Sequence, residues 1–185
     1  MEPARLRLLF RGVNRFMVAL WRLGLGGWVN AWPALGGRVM VLVHVGRRSG
    51  LRRRTPLNYA LVEGDVYCTA GFGPGSDWYR NVLASPGVEV WLPDGWWAGT
   101  ARDVSDSAQR LALVRQVLVA SGFAARVAGI RPRTIADGEL ARRTAGYRLL
   151  RIECTHALTG PGGPGDRAWV WPLAALVLCA LLLLG

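Results

Sequence analysis

The densest chemistry in this chain lies in GRRSGLRRRTP, Gly46 to Pro56, where five arginines fall within eight positions. Guanidinium forks match the paired oxygens of phosphates and carboxylates. Gly46 and Gly50 permit tight backbone and close approach, and Ser49 adds a hydroxyl and an amide. The segment reads as a loop that grips an anion. Three targets stay open on chemistry alone: a ligand with several separated negative groups, a nucleic-acid or lipid-headgroup patch, or ordinary solvated charge. A P-loop is excluded because its terminal Lys and Ser or Thr are missing, and the spaced glycines of a dinucleotide fold are missing too.

A second cluster, GFGPGSDWYRN from Gly71 to Asn81, combines three glycines with Trp78 and Tyr79. The glycines free backbone amides to point at a planar or anionic ligand, and the aromatics give rigid surface. For Trp78 the competing reading, that it seals the core, is favoured by the area a Trp buries. Cys68, Cys154 and Cys179 are widely spaced and odd in number, which argues against a disulfide framework. With His44 and His156 beside them they form no zinc-ligand spacing, so the thiols read as inert and no metal is expected.

Positioning these residues takes one domain, for 185 residues supply one core and not two. All 23 basic residues are Arg against 12 acids, a formal net charge of +11, and most of that excess sits in the first 60 residues, where Glu2 is the single acid. Residues 38–155 read as the core domain. RVMVLVHVG is a β-rich run, Glu63, Gly64 and Asp65 turn one extended segment into the next, and ProAspGly at 93–95 makes a further hairpin. SDWYRNVLASPG is a short helix that Ser76 could cap and Pro86 with Gly87 stop. A helix follows over about Ser107 to Ser121, then a polar segment with AspGlyGlu at 137–139 and a last strand in YRLLRIEC. About six short strands and few helices suggest a small mixed barrel, since a doubly wound sheet needs a helix after every strand.

The two ends differ from this core. Residues 1–37 read as a basic amphipathic helical region: Leu6, Leu9, Phe10, Val13, Phe16, Met17 and Leu20 recur at helical spacing, with Arg7, Arg11 and Arg15 on the polar side. Such a helix lies on an anionic bilayer or packs on its own domain. Arg5, Arg7, Arg11 and Arg15 interrupt any signal-peptide pattern. Residues 156–167 have a linker's Gly and Pro content, and the uncharged run 168–185, with Trp169 and Trp171 near its start, reads as a short transmembrane anchor. The Arg excess then places the core domain on the cytoplasmic side of the cell membrane.

GRRSGLRRRTPLNY followed by GDVYCTAGFGPGSDWYRNVLASPGVEV resembles the deazaflavin (coenzyme F420) dependent nitroreductase and quinone reductase family, over about residues 39–155 and in the family's order and spacing. The resemblance implies an α+β fold, a split β-barrel of the FMN-binding split-barrel-like kind with flanking helices, to which the C-terminal transmembrane helix is added. It implies coenzyme F420 as cofactor, with Arg47, Arg48, Ser49 and Arg53 on its anionic tail and Thr55 and Pro56 shaping the groove beside its ring. Trp78, Tyr79 and Asn81 would form the flanking helix, and the loop from Ala70 through Gly71, Phe72 and Gly73 to Gly75 would approach the cofactor. Arg52 and Arg54 are extra arginines that add tail contacts or face solvent.

The resemblance implies an oxidoreductase, an F420H2-dependent reductase moving a hydride to an acceptor, and the cofactor itself supplies the chemistry. No side chain need act as a nucleophile, and Tyr147 reads as a strand residue rather than the proton donor. The stretch SGFAARVAGIRP lacks the tyrosines that the family's characterised nitroreductases carry over the acceptor, leaving Phe123 and Ile130 as candidate pocket walls. An anchored enzyme reaches lipid-soluble compounds, so a quinone such as menaquinone is the expected acceptor, with membrane lipid a partner, a homodimer possible and nucleic acid not expected. The alternative is a non-catalytic, membrane-associated module binding F420 or another anionic ligand at the Arg-rich loop.

Overall fold

The computed structural model describes residues 3–184. In chain order these form helices α1 (Pro3–Arg22), α2 (Gly26–Val29) and α3 (Pro33–Gly36), then strands β1 (Val39–Val45), β2 (Arg52–Val62) and β3 (Asp65–Ala70). Helix α4 (Asp77–Ala84), strands β4 (Gly87–Leu92) and β5 (Gly95–Asp103), and helices α5 (Arg110–Ala120), α6 (Phe123–Val127) and α7 (Asp137–Arg143) follow. Strand β6 (Arg148–Ala157) and helix α8 (Val170–Leu184) complete the chain. The helix expected from Ser107 starts at Arg110, and the acidic segment at 137–139, left without a helix by its polarity, opens α7.

The six strands close an antiparallel split β-barrel in the order β1-β2-β3-β6-β5-β4, with β4 returning to β1. Glu63 and Gly64 join β2 to β3 with φ of 52° and 88°. Two consecutive positive values give a two-residue turn whose twist matches that of the flanking strands. Strand alternation then sorts the side chains. Met40 and Leu42 of β1 point into the barrel with Tyr59, Val66, Cys68, Val90, Leu92, Leu150 and Ile152. Val41 and Val43 point outward under α1, where Trp21 and Trp91 pack on them. Both faces of β1 are covered, so its sequence is an almost unbroken apolar run. Helices α5 to α7 cover another outer face, with Val114, Val117, Ile130 and Leu140 against Ala60 and Leu149.

The last turns of α1 pack on the barrel through Met17, Val18 and Trp21, while Val13, Arg15 and Phe16 are exposed. The side chains of Arg5, Leu6, Arg7, Leu9, Phe10 and Arg11 lie outside the described residues. The end of α1 is closed by distant chain. Gly165 N–H donates to the Trp21 carbonyl at 2.9 Å, Arg167 N–H to Arg22 at 2.8 Å, and the Trp171 indole to Leu23 at 2.8 Å. These donors satisfy carbonyls that a helix end leaves open. The Arg22 guanidinium also donates through Nε to Asp166 Oδ1 at 2.8 Å and through Nη2 to Oδ2. The Gly- and Pro-rich stretch thus lies against the barrel and α1, and Gly163 is buried on the Trp96 ring, where a Cβ would approach within 2.4 Å.

These contacts overturn the transmembrane anchor. Residues 164–169 are taken up by turns that dock onto α1, so α8 starts only at Val170 and has 15 residues. At 1.5 Å per residue that is about 22 Å, against a hydrocarbon core of about 30 Å. Among the described residues no helix is long and apolar enough to cross a membrane. The expected cell-membrane location, with the barrel on the cytoplasmic side, depended on that anchor and is corrected with it.

Candidate functional site

At one rim of the barrel the loop after β1 meets the start of β2 and α4. Residues 46–51 fold back on themselves: Gly46 N–H donates to the Leu51 carbonyl at 2.9 Å, and the Gly46 carbonyl accepts from Gly50 N–H at 2.8 Å. A Cβ on Gly46 would stand 2.8 Å from both Arg53 Nε and Ser49 Oγ. Glycine therefore lets Arg53 and Ser49 converge, and Arg53 Nη2 donates to Ser49 Oγ at 3.3 Å.

Arg47 pins this loop to α4. Its backbone N–H and its Nη1 donate to Asn81 Oδ1 at 3.1 and 2.9 Å, and its Nη2 donates to Asp77 Oδ1 at 2.9 Å. That bond holds the Asp77 carboxyl below its ordinary range. With its oxygen turned to Arg47, the buried Asn81 amide donates from Nδ2 to His44 Nδ1 at 3.4 Å. His44 must then carry its proton on Nε2, which donates to Thr55 Oγ1 at 3.0 Å. His44 is 3% exposed, and burial pushes its pKa down to about 4, so the ring is neutral at pH 7. One hydrogen-bonded line therefore runs from the loop through Asn81 and His44 to Thr55.

The resulting pocket holds about 240 Å³ and is lined by Gly46, Arg47, Arg48, Ser49, Arg53, Asp77 and Asn81. Five of these residues were expected as ligand contacts and Gly46 as part of the gripping loop; Asp77 was not expected. His44 was also missed, although it continues the inward alternation of Met40 and Leu42. Thr55 joins through His44, whereas Pro56 lies one position along β2, opposite Val41 on the outer face. The loop from Ala70 to Gly73 does not line this pocket. Ala70 is in the barrel core, Gly71 meets the Tyr147 ring, and Gly73, at φ 59°, would drive a Cβ to 2.4 Å from the Gly146 carbonyl. Gly71 and Phe72 are exposed beside them.

Trp78 packs on the barrel interior, edge-on to Tyr79 with ring centroids 6.3 Å apart. The Tyr79 hydroxyl donates to Asp103, and burial with that bond pushes its pKa up to about 12. Both aromatics hold α4 across the end of the barrel. Ser76 occupies the position before α4, but its hydroxyl makes no capping bond and is buried without a partner among the described residues. Cys68 is buried in the barrel, which pushes its thiol up to about 12. Ile130 is 2% exposed in the α5–α7 cluster and Phe123 lies exposed at the start of α6; neither is among the residues that line the rim pocket.

Three guanidiniums face one carboxylate in this pocket, and that carboxylate is already engaged by Arg47. Arg48 and Arg53 are left to meet a ligand, beside the glycine cradle and the Ser49 hydroxyl. A donor set of this kind fits the phosphate and carboxylates of an anionic cofactor tail.

The chain is a split β-barrel with a cluster of guanidiniums at one rim. The family model described as F420H(2)-dependent quinone reductase matches residues 14–135, two thirds of the chain, and the chain belongs to that family. A conserved hypothetical protein of Mycobacterium tuberculosis is similar in structure at 16% identity, over 75% of this chain and 91% of that one, with a TM-score of 0.49. An F420-H2 dependent reductase, FDR-A, is similar at 21% identity over 63% and 94%, with a TM-score of 0.47. A structure described as a domain-swapped dimer is similar at 20% identity over 63% and 80%, with a TM-score of 0.46. The comparison with curated proteins finds no match.

Proposed function

We propose that this chain is a reductase that binds reduced coenzyme F420 at the β1–β2 rim and passes its hydride to a quinone. The observation that carries the reading is the pocket in which Arg48, Arg53 and Ser49 converge over Gly46, within a chain of the F420H(2)-dependent quinone reductase family. When bound, the cofactor supplies a hydride to an electrophilic acceptor.

The chain's own part is to bind and to orient. Arg48 and Arg53 hold the anionic tail, while Arg47 fixes the loop's position by its bonds to Asp77 and Asn81. Neutral His44 receives the Asn81 amide on one nitrogen and orders the Thr55 hydroxyl with the other. Accepting a hydrogen bond from His44 Nε2 leaves that hydroxyl's own hydrogen to be donated elsewhere. Trp78 and Tyr79 keep α4 seated, which excludes water from the barrel end. Geometry supplies the rate enhancement: the acceptor must be held at roughly 3 to 3.5 Å from the donor carbon.

The test uses the full chain. Titrating protein into oxidised F420, the fluorescent form, quenches its emission, and in a second assay the full chain with a soluble quinone oxidises reduced F420 with turnover, read as the return of that fluorescence. Quenching without oxidation by any quinone supplied would instead mark a module that binds the cofactor without using it. Arg53→Ala weakens F420 binding by about tenfold or more, the scale of a lost charge-assisted pair; unchanged affinity would remove the tail from this rim.

A further inference from the structure

A second cationic pocket lies on the other face of β2. It holds about 300 Å³ between α1, β2 and the chain entering α8, and is lined by Asn14, Arg15, Val18, Ala19, Arg22, Arg54 and Arg167. Four guanidiniums from three distant segments meet there. The carboxylate beside them, Asp166, is gripped by Arg22. Glu89, the next acid near Arg54, is engaged by Arg52 and by the Trp96 indole. The pocket is thus left with a large positive excess.

The charges are also held in place. Arg54 lies over the Trp91 ring at 5.3 Å and donates from Nη2 to the Gly162 carbonyl at 3.0 Å, while its Nε is buried with no acceptor among the described residues. Arg22 is fixed by its fork onto Asp166 and by the Arg167 N–H on its carbonyl. Burial and repulsion from Arg22 and Arg52 disfavour the charge on Arg54, a cost that an anion between these groups would reverse. Solvated surface arginines avoid such crowding by turning away; here a backbone carbonyl, an aromatic face and a carboxylate prevent it.

We infer that this outer pocket is a second anion site, built for a compact phosphate-class polyanion and separate from the rim. Several converging forks suit a multiply charged group better than a single carboxylate, and Asn14 offers a neutral polar neighbour. Guanidiniums from three segments that converge on one place suit a compact ion, whereas a nucleic-acid backbone requires an extended stripe. Strand β2 separates the two sites, because Arg53 and Arg54 point to opposite faces.

The experiment is calorimetric titration of the full chain with pyrophosphate at fixed ionic strength. A saturable outer site is expected, in addition to any binding at the rim arginines. The double variant Arg15→Gln with Arg167→Gln, at two exposed positions, weakens it by roughly tenfold or more. Arg48→Gln at the rim leaves it unchanged, and pyrophosphate raises the Tm of the wild type but not of the double variant. Absence of saturable binding, equal affinity in the double variant, or loss on Arg48→Gln would each overturn the inference. Because the readout is pyrophosphate binding, its failure says nothing about F420 at the rim.

Discussion

Arg53 and Arg54 are neighbours in the chain and opposites in the fold. Arg53 stands at the rim over Gly46, exposed, with a hydroxyl as its nearest partner. Arg54 lies beneath α1 between the Trp91 ring and the Gly162 carbonyl. The rim is assembled from residues within about forty positions of one another, whereas the outer face joins the two ends of the chain. A cation with an open neighbourhood is available to a ligand; one held on three sides contributes to the fold whether or not a ligand comes. One strand thus gives equal charges unequal work.

The contrast can be broken first at Trp21. Replacing it with Ala removes the centre of the outer cluster, and denaturant unfolding should show a loss of about 3 to 5 kcal/mol. F420 affinity of the molecules that remain folded should be unchanged; a matching loss of affinity would join the two regions. The rim has its own stability signature in His44, whose pKa falls from an ordinary 6.5 to about 4. As pH drops through this window the unfolded chain takes up a proton that the folded chain refuses, so stability is full above about 6.5 and declines toward 4. Some 3 kcal/mol is at stake, and urea unfolding of His44→Gln should be flat over the same range.

Smaller effects sharpen the comparison. Arg54→Ala should cost about 1 to 3 kcal/mol through its lost ring contact and carbonyl bond, with rim binding intact. Arg53→Ala should leave stability within about 0.5 kcal/mol while F420 binding falls. Equal stability losses for these two variants would erase the distinction between the faces.

Much of the architecture is legible in local pattern. The run from Val39 is legible as a strand, though an unbroken apolar run does not say which face is inside, and the GRRSG turn announces the rim loop. Counting back by twos from Tyr59 through Leu57 and Thr55 reaches Arg53, which puts Arg52 and Arg54 on the outer face; the Arg-rich motif obscures that parity. Arg54 lies over the Trp91 ring on the outer face, and Arg52 pairs with Glu89. His44 escaped notice because a lone histidine in an apolar strand carries no motif, and its meaning depends on Asn81, far along the chain. The apolar run at the end misled for a related reason. Hydropathy in a window cannot register that Gly165, Arg167 and Trp171 are bound to the last turn of α1.

That distant closure sets an order for biosynthesis. During translation the first helix emerges early, yet the donors for its terminal carbonyls at Trp21, Arg22 and Leu23 are made more than 140 residues later. Its final seating must wait until Trp171 has left the ribosome, so a helix made early is locked only late.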